Sequence, residues 1–269
     1  MSTNKDAFDD AADLVTETDR AVEKMVSTTL MSKYPTFSFL GEETYKPGMK
    51  LTSSPTFVVD PIDGTTNFVH RYPYVSISLG FAINKEPVVG VVFNPFTQQL
   101  YTGVKGFGST LKDLKFDTEQ NLPLKEPLEP LTTLSESLVA MEWGSDRSGV
   151  NYDTKVKTFA NLARSKEDGG AMVHSLRSLG SAALNLCAVA SGSIDIYWEG
   201  GCWAWDVCAG WVILKEAGGI IVDGNPGQWD CAVDGRKYLA VRGAPGGKGQ
   251  KEIVEELWSH IDGKMEYES

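Results

Sequence analysis

The stretch Phe57-Val58-Val59-Asp60-Pro61-Ile62-Asp63-Gly64-Thr65-Thr66-Asn67-Phe68 runs an apolar, β-branched segment straight into two carboxylates and a glycine. Such a segment predicts a strand, over Thr56 to Val59, that ends in a tight turn. Two carboxylates three residues apart at a strand end can converge on one point. Hard divalent cations take oxygen ligands of this kind, together with backbone carbonyls. Gly64 lets the backbone come close to a ligand, and Thr65 and Thr66 would open a short helix whose free N–H groups suit a phosphate. A plainer reading stays open, because Asp-Pro and Asp-Gly are ordinary turn dipeptides and Asp63 can simply cap a helix.

Two further acidic positions tip the balance. Gly41-Glu42-Glu43 also follows an apolar run, Phe37 to Leu40, although Glu43 alone would pass for a surface acid. In Trp203-Ala204-Trp205-Asp206-Val207-Cys208, Asp206 opens an apolar helix between large aromatic side chains. A carboxylate in that setting needs a partner. Capping the helix and binding a metal are compatible roles for it, since the group has two oxygens.

Around these acids the pattern alternates. Val22, Met25, Val26 and Leu30 recur at helical spacing, predicting a helix from Asp19 to about Ser32 with one buried face. Strands are expected at Val75 to Ile83, Val88 to Phe93, Ile194 to Trp198 and Ile220 to Val222; helices at Ser181 to Ala190 and Val207 to Ala217, the latter stopped by Gly218-Gly219. Leu122 to Pro130 and Gly243 to Gly249 read as surface loops. Periodicity thus reaches mixed α and β. Thr16-x-x-Asp19 ahead of the first helix is a capping-box pattern.

The 269 residues, 42% hydrophobic, suffice for one large domain spanning 1–269. A formal charge of -11 argues against a nucleic-acid or anionic-membrane surface. An acidic protein that handles phosphate needs another source of positive charge, and bound metal supplies it. No apolar run approaches the length of a bilayer span and the N-terminus carries acids where a signal peptide needs an apolar run, so a cytoplasmic address is expected. Cys187, Cys202, Cys208 and Cys231 form no CxxC pair and read as buried thiols. His70, His174 and His260 are too scattered for a zinc site, and neither a P-loop nor a GxSxG elbow is present.

Together the segments Asp13 to Asp19 (DLVTETD), Gly41 to Glu43, Asp60 to Phe81 (DPIDGTTNFVHRYPYVSISLGF), Gly180 to Ala182 and Glu199 to Gly219 resemble the inositol monophosphatase family, of the lithium-sensitive, magnesium-dependent phosphatase superfamily. The resemblance implies an α+β, layered α-β-α-β-α sugar-phosphatase fold and a homodimer. It implies that Glu42, Asp60, the Ile62 carbonyl, Asp63 and Asp206 bind two or three Mg2+ ions. Substrate contacts would come from Glu42, Ile62, Asp63, Gly64 and Thr65 on the phosphate side and from Gly180, Ser181, Ala182, Glu199 and Asp206 on the polyol side. Asp19, in place of a cap, would bond the Thr65 hydroxyl, and Glu42, Thr65 and Asp19 would direct water in line at phosphorus without a phosphoenzyme. The implied activity is hydrolysis of inositol monophosphate, inhibited by lithium. Alternatives are another small phosphate (a sugar phosphate, histidinol phosphate or a 3′-phosphoadenosine nucleotide) or a binding homologue with little turnover.

The chain departs from the family at its start. Members carry a long helix ahead of the DLVTETD segment, whereas twelve residues precede Asp13, and a family lysine on the intervening loop falls on Phe8, with Lys5 the nearest basic residue. That first helix is therefore expected to be truncated.

Overall fold

A computed structural model describes the backbone of residues 4–124 and 127–268 and the side chains from Glu17 onward, leaving out 125 and 126. The chain opens with helix α1 (Asn4–Lys33) and strands β1 (Ser38–Gly41) and β2 (Thr56–Asp63), followed by the short helix α2 (Thr65–Val69). An antiparallel meander continues through β3 (Ser76–Ile83), β4 (Glu86–Asn94), β5 (Gln99–Val104), β6 (Gly108–Asp113) and β7 (Thr118–Asn121). With β1 added parallel to β2, these strands form a seven-stranded sheet in sequential order. The second half contains β8 (Leu138–Met141), α3 (Gly149–Ala163), β9 (Ser175–Arg177), α4 (Ala182–Ser191), β10 (Ile196–Gly200), α5 (Ala204–Glu216), β11 (Ile220–Asp223), β12 (Lys237–Val241) and α6 (Gln250–Ser259). Its strands make a mixed five-stranded sheet in the order β11-β12-β10-β8-β9.

Helices α4 and α5 lie between the sheets. α5 is hydrophobic almost all round, as a helix buried on every side must be. It packs across β2 to β6 on one side and α4 on another, while α4 also reaches β10 and β12. α1 and α2 cover the β1–β2 end of the first sheet, and α3 and α6 pack outside the second around Leu162, Trp198, Ile253 and Leu257. This is the expected α-β-α-β-α layering.

Close approach of α5 to the first sheet depends on a glycine row. Gly80, Gly90 and Gly103 stand opposite one another on β3, β4 and β5. A Cβ on them would overlap Cys208, the Ala209 carbonyl and Ile213 of α5, respectively. Any larger residue in that row would push the helix off the sheet.

The expected helix at the start needs two corrections. It begins at Asn4 rather than Asp19, so Asp19 lies mid-helix and Thr16-x-x-Asp19 does not mark its start. Its inward face is also more polar than the spacing suggested: Asp19 and Glu23 are buried, Val22, Val26 and Leu30 are half-buried, and Met25 is 62% exposed. The side chains of Lys5 and Phe8 lie outside the described residues. Cys231 is half-buried where a buried thiol was expected, and all four thiols are free. The two expected loops are not wholly on the surface: Leu122 and Gly243 are buried, while Pro245–Gly247 forms an exposed 3-10 turn. Among the described residues no helix is long and apolar enough to cross a membrane.

Candidate active site

The decisive stretch leaves regular pairing where its chemistry begins. β2 and β3 shift register between Asp60 and Asp63, and the bulge breaks the in–out alternation so that Asp60, Pro61, Ile62 and Asp63 are all buried. Pro61, which cannot donate to a ladder, sits inside this irregularity. Gly64 then turns with φ 95° into α2. A Cβ there would meet the Tyr74 and Gly180 carbonyl oxygens, so the position requires glycine both for its backbone angle and for space.

Asp63 points into the N-terminus of α4. It accepts from the Ser181 hydroxyl, from the Ala183 N–H at 2.9 Å and from the Ala182 N–H at 3.2 Å. Ser181 also caps α4 through the Leu184 N–H. Asp206 is not the N-cap the local sequence suggested: α5 begins three residues earlier, Trp203 is the N-cap, and Asp206 in the first turn accepts the Trp203 N–H at 2.6 Å. Asp60 lies within hydrogen-bonding reach of both Glu42 and Asp206, and its Oδ1 is buried without a partner.

Burial and mutual repulsion hold these groups towards their protonated forms. Burial pushes Glu42 to about 7, with Glu43 and Asp63 adding and the bond with Asp60 opposing. Asp60 is driven well above the carboxylate range by burial and then by Asp63, Glu42 and Asp206. Asp206 is raised likewise by burial and by Asp63. Asp63 rises to about 6 through burial, restrained by its Ser181 and backbone donors. Asp19 is pushed to about 7 by burial and by Glu43, Glu42 and Glu23, with Oδ1 unpaired.

Every expected site residue except Asp19 lines one cavity of about 500 Å³: Glu42, Asp60, Ile62, Asp63, Gly64, Thr65, Gly180, Ser181, Ala182, Glu199 and Asp206. Asp19 lies behind it. The Thr65 hydroxyl donates to the Ile62 carbonyl at 3.1 Å, so the expected Asp19–Thr65 bond is not formed here. Glu199 takes a bond from the Tyr197 hydroxyl, and burial followed by Glu142 raises it to about 7.

Sequence reasoning missed Glu142, which organises the wall between these parts. It accepts from the Ser178 hydroxyl, the Leu179 and Gly180 N–H groups and the Asn185 amide, at 2.6 to 2.9 Å. Asn67 stitches the same loop to the β2 turn by donating to the Tyr74 and Leu179 carbonyls. Glu23, also missed, accepts the Glu43 N–H at 2.8 Å and keeps Oε1 buried and unpaired. No local motif marks either glutamate.

The donor set suits a hard divalent cation: carboxylate oxygens, a backbone carbonyl, an orphaned buried Oδ1, and a surplus of negative charge that only added cations or protons can offset. Among the described residues no three acidic, His or Cys groups stand together at ligand spacing. The donors of α4 fix Asp63 in place, and its Oδ1, which accepts the Ala182 N–H, keeps a second lone pair with which to meet a cation.

The model of the inositol monophosphatase family matches residues 2–262. Inositol monophosphatase 2 of Saccharomyces cerevisiae is 51% identical, covering 98% of this chain and 89% of that protein. Inositol monophosphatase II from Staphylococcus aureus superposes with a TM-score of 0.71 at 27% identity, covering 92% of this chain and 82% of that one. The inositol-monophosphate-bound structure of SaIMPase-II gives 0.68 at 26% identity, covering 93% and 85%. With the bulged acidic strand end, the α4 and α5 N-termini and the layered fold all in place, the chain belongs to the inositol monophosphatase family, whose members are magnesium-dependent phosphomonoester phosphatases.

Proposed function

We propose that this chain hydrolyses inositol monophosphate to inositol and phosphate. The observation that carries the reading is the convergence of Glu42, Asp60, Asp63 and Asp206 on one cavity, buried and mutually repelling, with Asp60 Oδ1 unpaired. Two or three Mg2+ ions would be held by Glu42, Asp60, the Ile62 carbonyl, Asp63 and Asp206. When bound, magnesium supplies charge neutralisation for the phosphoryl and leaving oxygens and lowers the pKa of water.

The remaining chemistry belongs to the chain. Glu42, a carboxylate lining the cavity beside Asp60 and Asp63, is placed to orient the attacking water and take its proton. The Thr65 hydroxyl positions that water once it turns from the Ile62 carbonyl, and Asp19 with its free Oδ1 is the group that would hold it there. Backbone N–H groups of Gly64 and Thr65 bind the phosphoryl oxygens. At the other end Glu199 and Asp206 accept bonds from the polyol hydroxyls, with Gly180, Ser181 and Ala182 forming the wall beside them. The bound substrate of SaIMPase-II, on a shared fold, supports inositol monophosphate as the ligand. We further assign the protein as a single-domain, cytoplasmic homodimer inhibited by lithium, which would compete for a magnesium position.

Phosphate release from inositol 1-phosphate tests the reading. Turnover that needs magnesium, falls with lithium and disappears in Asp63→Asn supports it; a folded protein with no turnover under any of these conditions overturns it.

A further inference from the structure

The polyol end of the cavity opens into an annex of about 440 Å³ that shares Glu199, Cys202 and Asp206 with it. The far side of the annex is the C-terminal segment, residues 264–268, and that segment is tied down with unusual thoroughness. Asn225 pairs reciprocally with the Met265 backbone at 2.8 and 2.9 Å, and Asn151 with the Glu266 backbone at 2.6 and 3.2 Å. The Tyr267 hydroxyl donates to Asp146 at 2.8 Å.

Tyr267 touches two loops that line the annex beside Glu199. Through Asp146 it holds the loop after β8, whose neighbours Trp143, Gly144 and Ser145 line the cavity. Its ring also packs on Gly200 and Gly201, directly after Glu199, where a Cβ on either glycine would run into it. Lys155, wholly buried beside the same ring, links the two loops by donating to the Trp143 and Gly200 carbonyls at 3.1 and 2.7 Å. Arg236 braces the other side, donating to the Gly201 carbonyl at 2.9 Å while stacked 3.6 Å from the centre of the Trp203 ring.

We infer that Tyr267 is a positioning residue for the polyol end of the substrate: its bond to Asp146 and its packing on Gly200-Gly201 fix the distance between the loop after β8 and Glu199. The inference rests on the function proposed above. Tyr267 lines the annex and not the main cavity, so its effect should be confined to substrates that carry a polyol.

Two substrates separate this role from simple support of the fold: inositol 1-phosphate, and 4-nitrophenyl phosphate, which has no polyol. Tyr267→Phe keeps the ring and removes the bond, and Asp146→Asn weakens the same bond from the other side. Both variants should raise KM for inositol 1-phosphate about five-fold or more with kcat near wild type, the signature of lost binding, and leave the constants for 4-nitrophenyl phosphate unchanged. Equal losses on both substrates, or no change on either, would overturn the inference while leaving the proposed function intact. A wild-type protein that hydrolyses 4-nitrophenyl phosphate but not inositol 1-phosphate would instead overturn the proposed function, and this inference with it.

Discussion

At the scale of single residues, the site is held in an arrangement the metal-free chain resists. Asp60 is buried, has one oxygen unpaired and faces three other acids. Asp60→Asn should therefore raise the Tm of the EDTA-treated protein while lowering magnesium-dependent turnover by more than about 100-fold, a trade of activity for stability. A lower Tm measured by calorimetry would show that the carboxylate is stabilised by something other than metal. The sequence made much of this arrangement legible because Asp60, Asp63 and Asp206 sit beside strand-end and helix-start signals. Glu142 escaped notice because its partners lie 36 to 43 residues further along the chain, so only the fold brings them together. The capping-box pattern Thr16-x-x-Asp19 misleads because it has the same local form inside a helix as at its start.

At the scale of elements, the glycine row beneath α5 carries the sharpest consequence. Gly90→Ala would place a methyl group against the Ala209 carbonyl, with backbone on both sides and no side chain able to yield. A cost of about 1–3 kcal/mol is expected, read as a Tm lowered by several degrees, because the helix must move off the sheet. Gly106→Ala, in a turn with open space but φ 81°, separates this packing cost from backbone strain alone. A Gly90→Ala protein as stable as wild type would contradict the packing described. Strands β3 and β4 and helix α5 were each readable from alternation or apolar runs. Their contact was not, since three glycines 10 to 13 positions apart become a row only when the register of β3, β4 and β5 is known.

At the scale of the whole molecule, charge and metal are linked. The chain carries a formal charge of -11, and several of its acids are gathered in one buried site. Folding raises Glu42 and Asp19 to about 7 and Asp63 to about 6, so in this range the native state binds more protons than the unfolded chain. The stability these groups confer is complete below the ordinary carboxylate range and is lost as pH rises through 6 to 7. The EDTA-treated protein should therefore melt at a higher temperature at about pH 5 than at about pH 8, and magnesium should restore the difference at the higher pH. Magnesium at about 100 times its dissociation constant would contribute about 2.7 kcal/mol per site. A Tm that is flat across this range and indifferent to magnesium would mean that the acids are neutralised from within the protein. Composition pointed to the metal, because an acidic protein that handles phosphate needs added positive charge; the proton count required the burial and proximity that only the fold supplies.

The most direct test of the central claim, that these converging acids serve phosphomonoester hydrolysis, is the initial rate of phosphate release from inositol 1-phosphate by the purified chain in magnesium and in EDTA. Steady turnover is expected in magnesium and none in EDTA, with activity restored when magnesium is returned. Equal rates in both, or no release from folded protein with magnesium present, would contradict it.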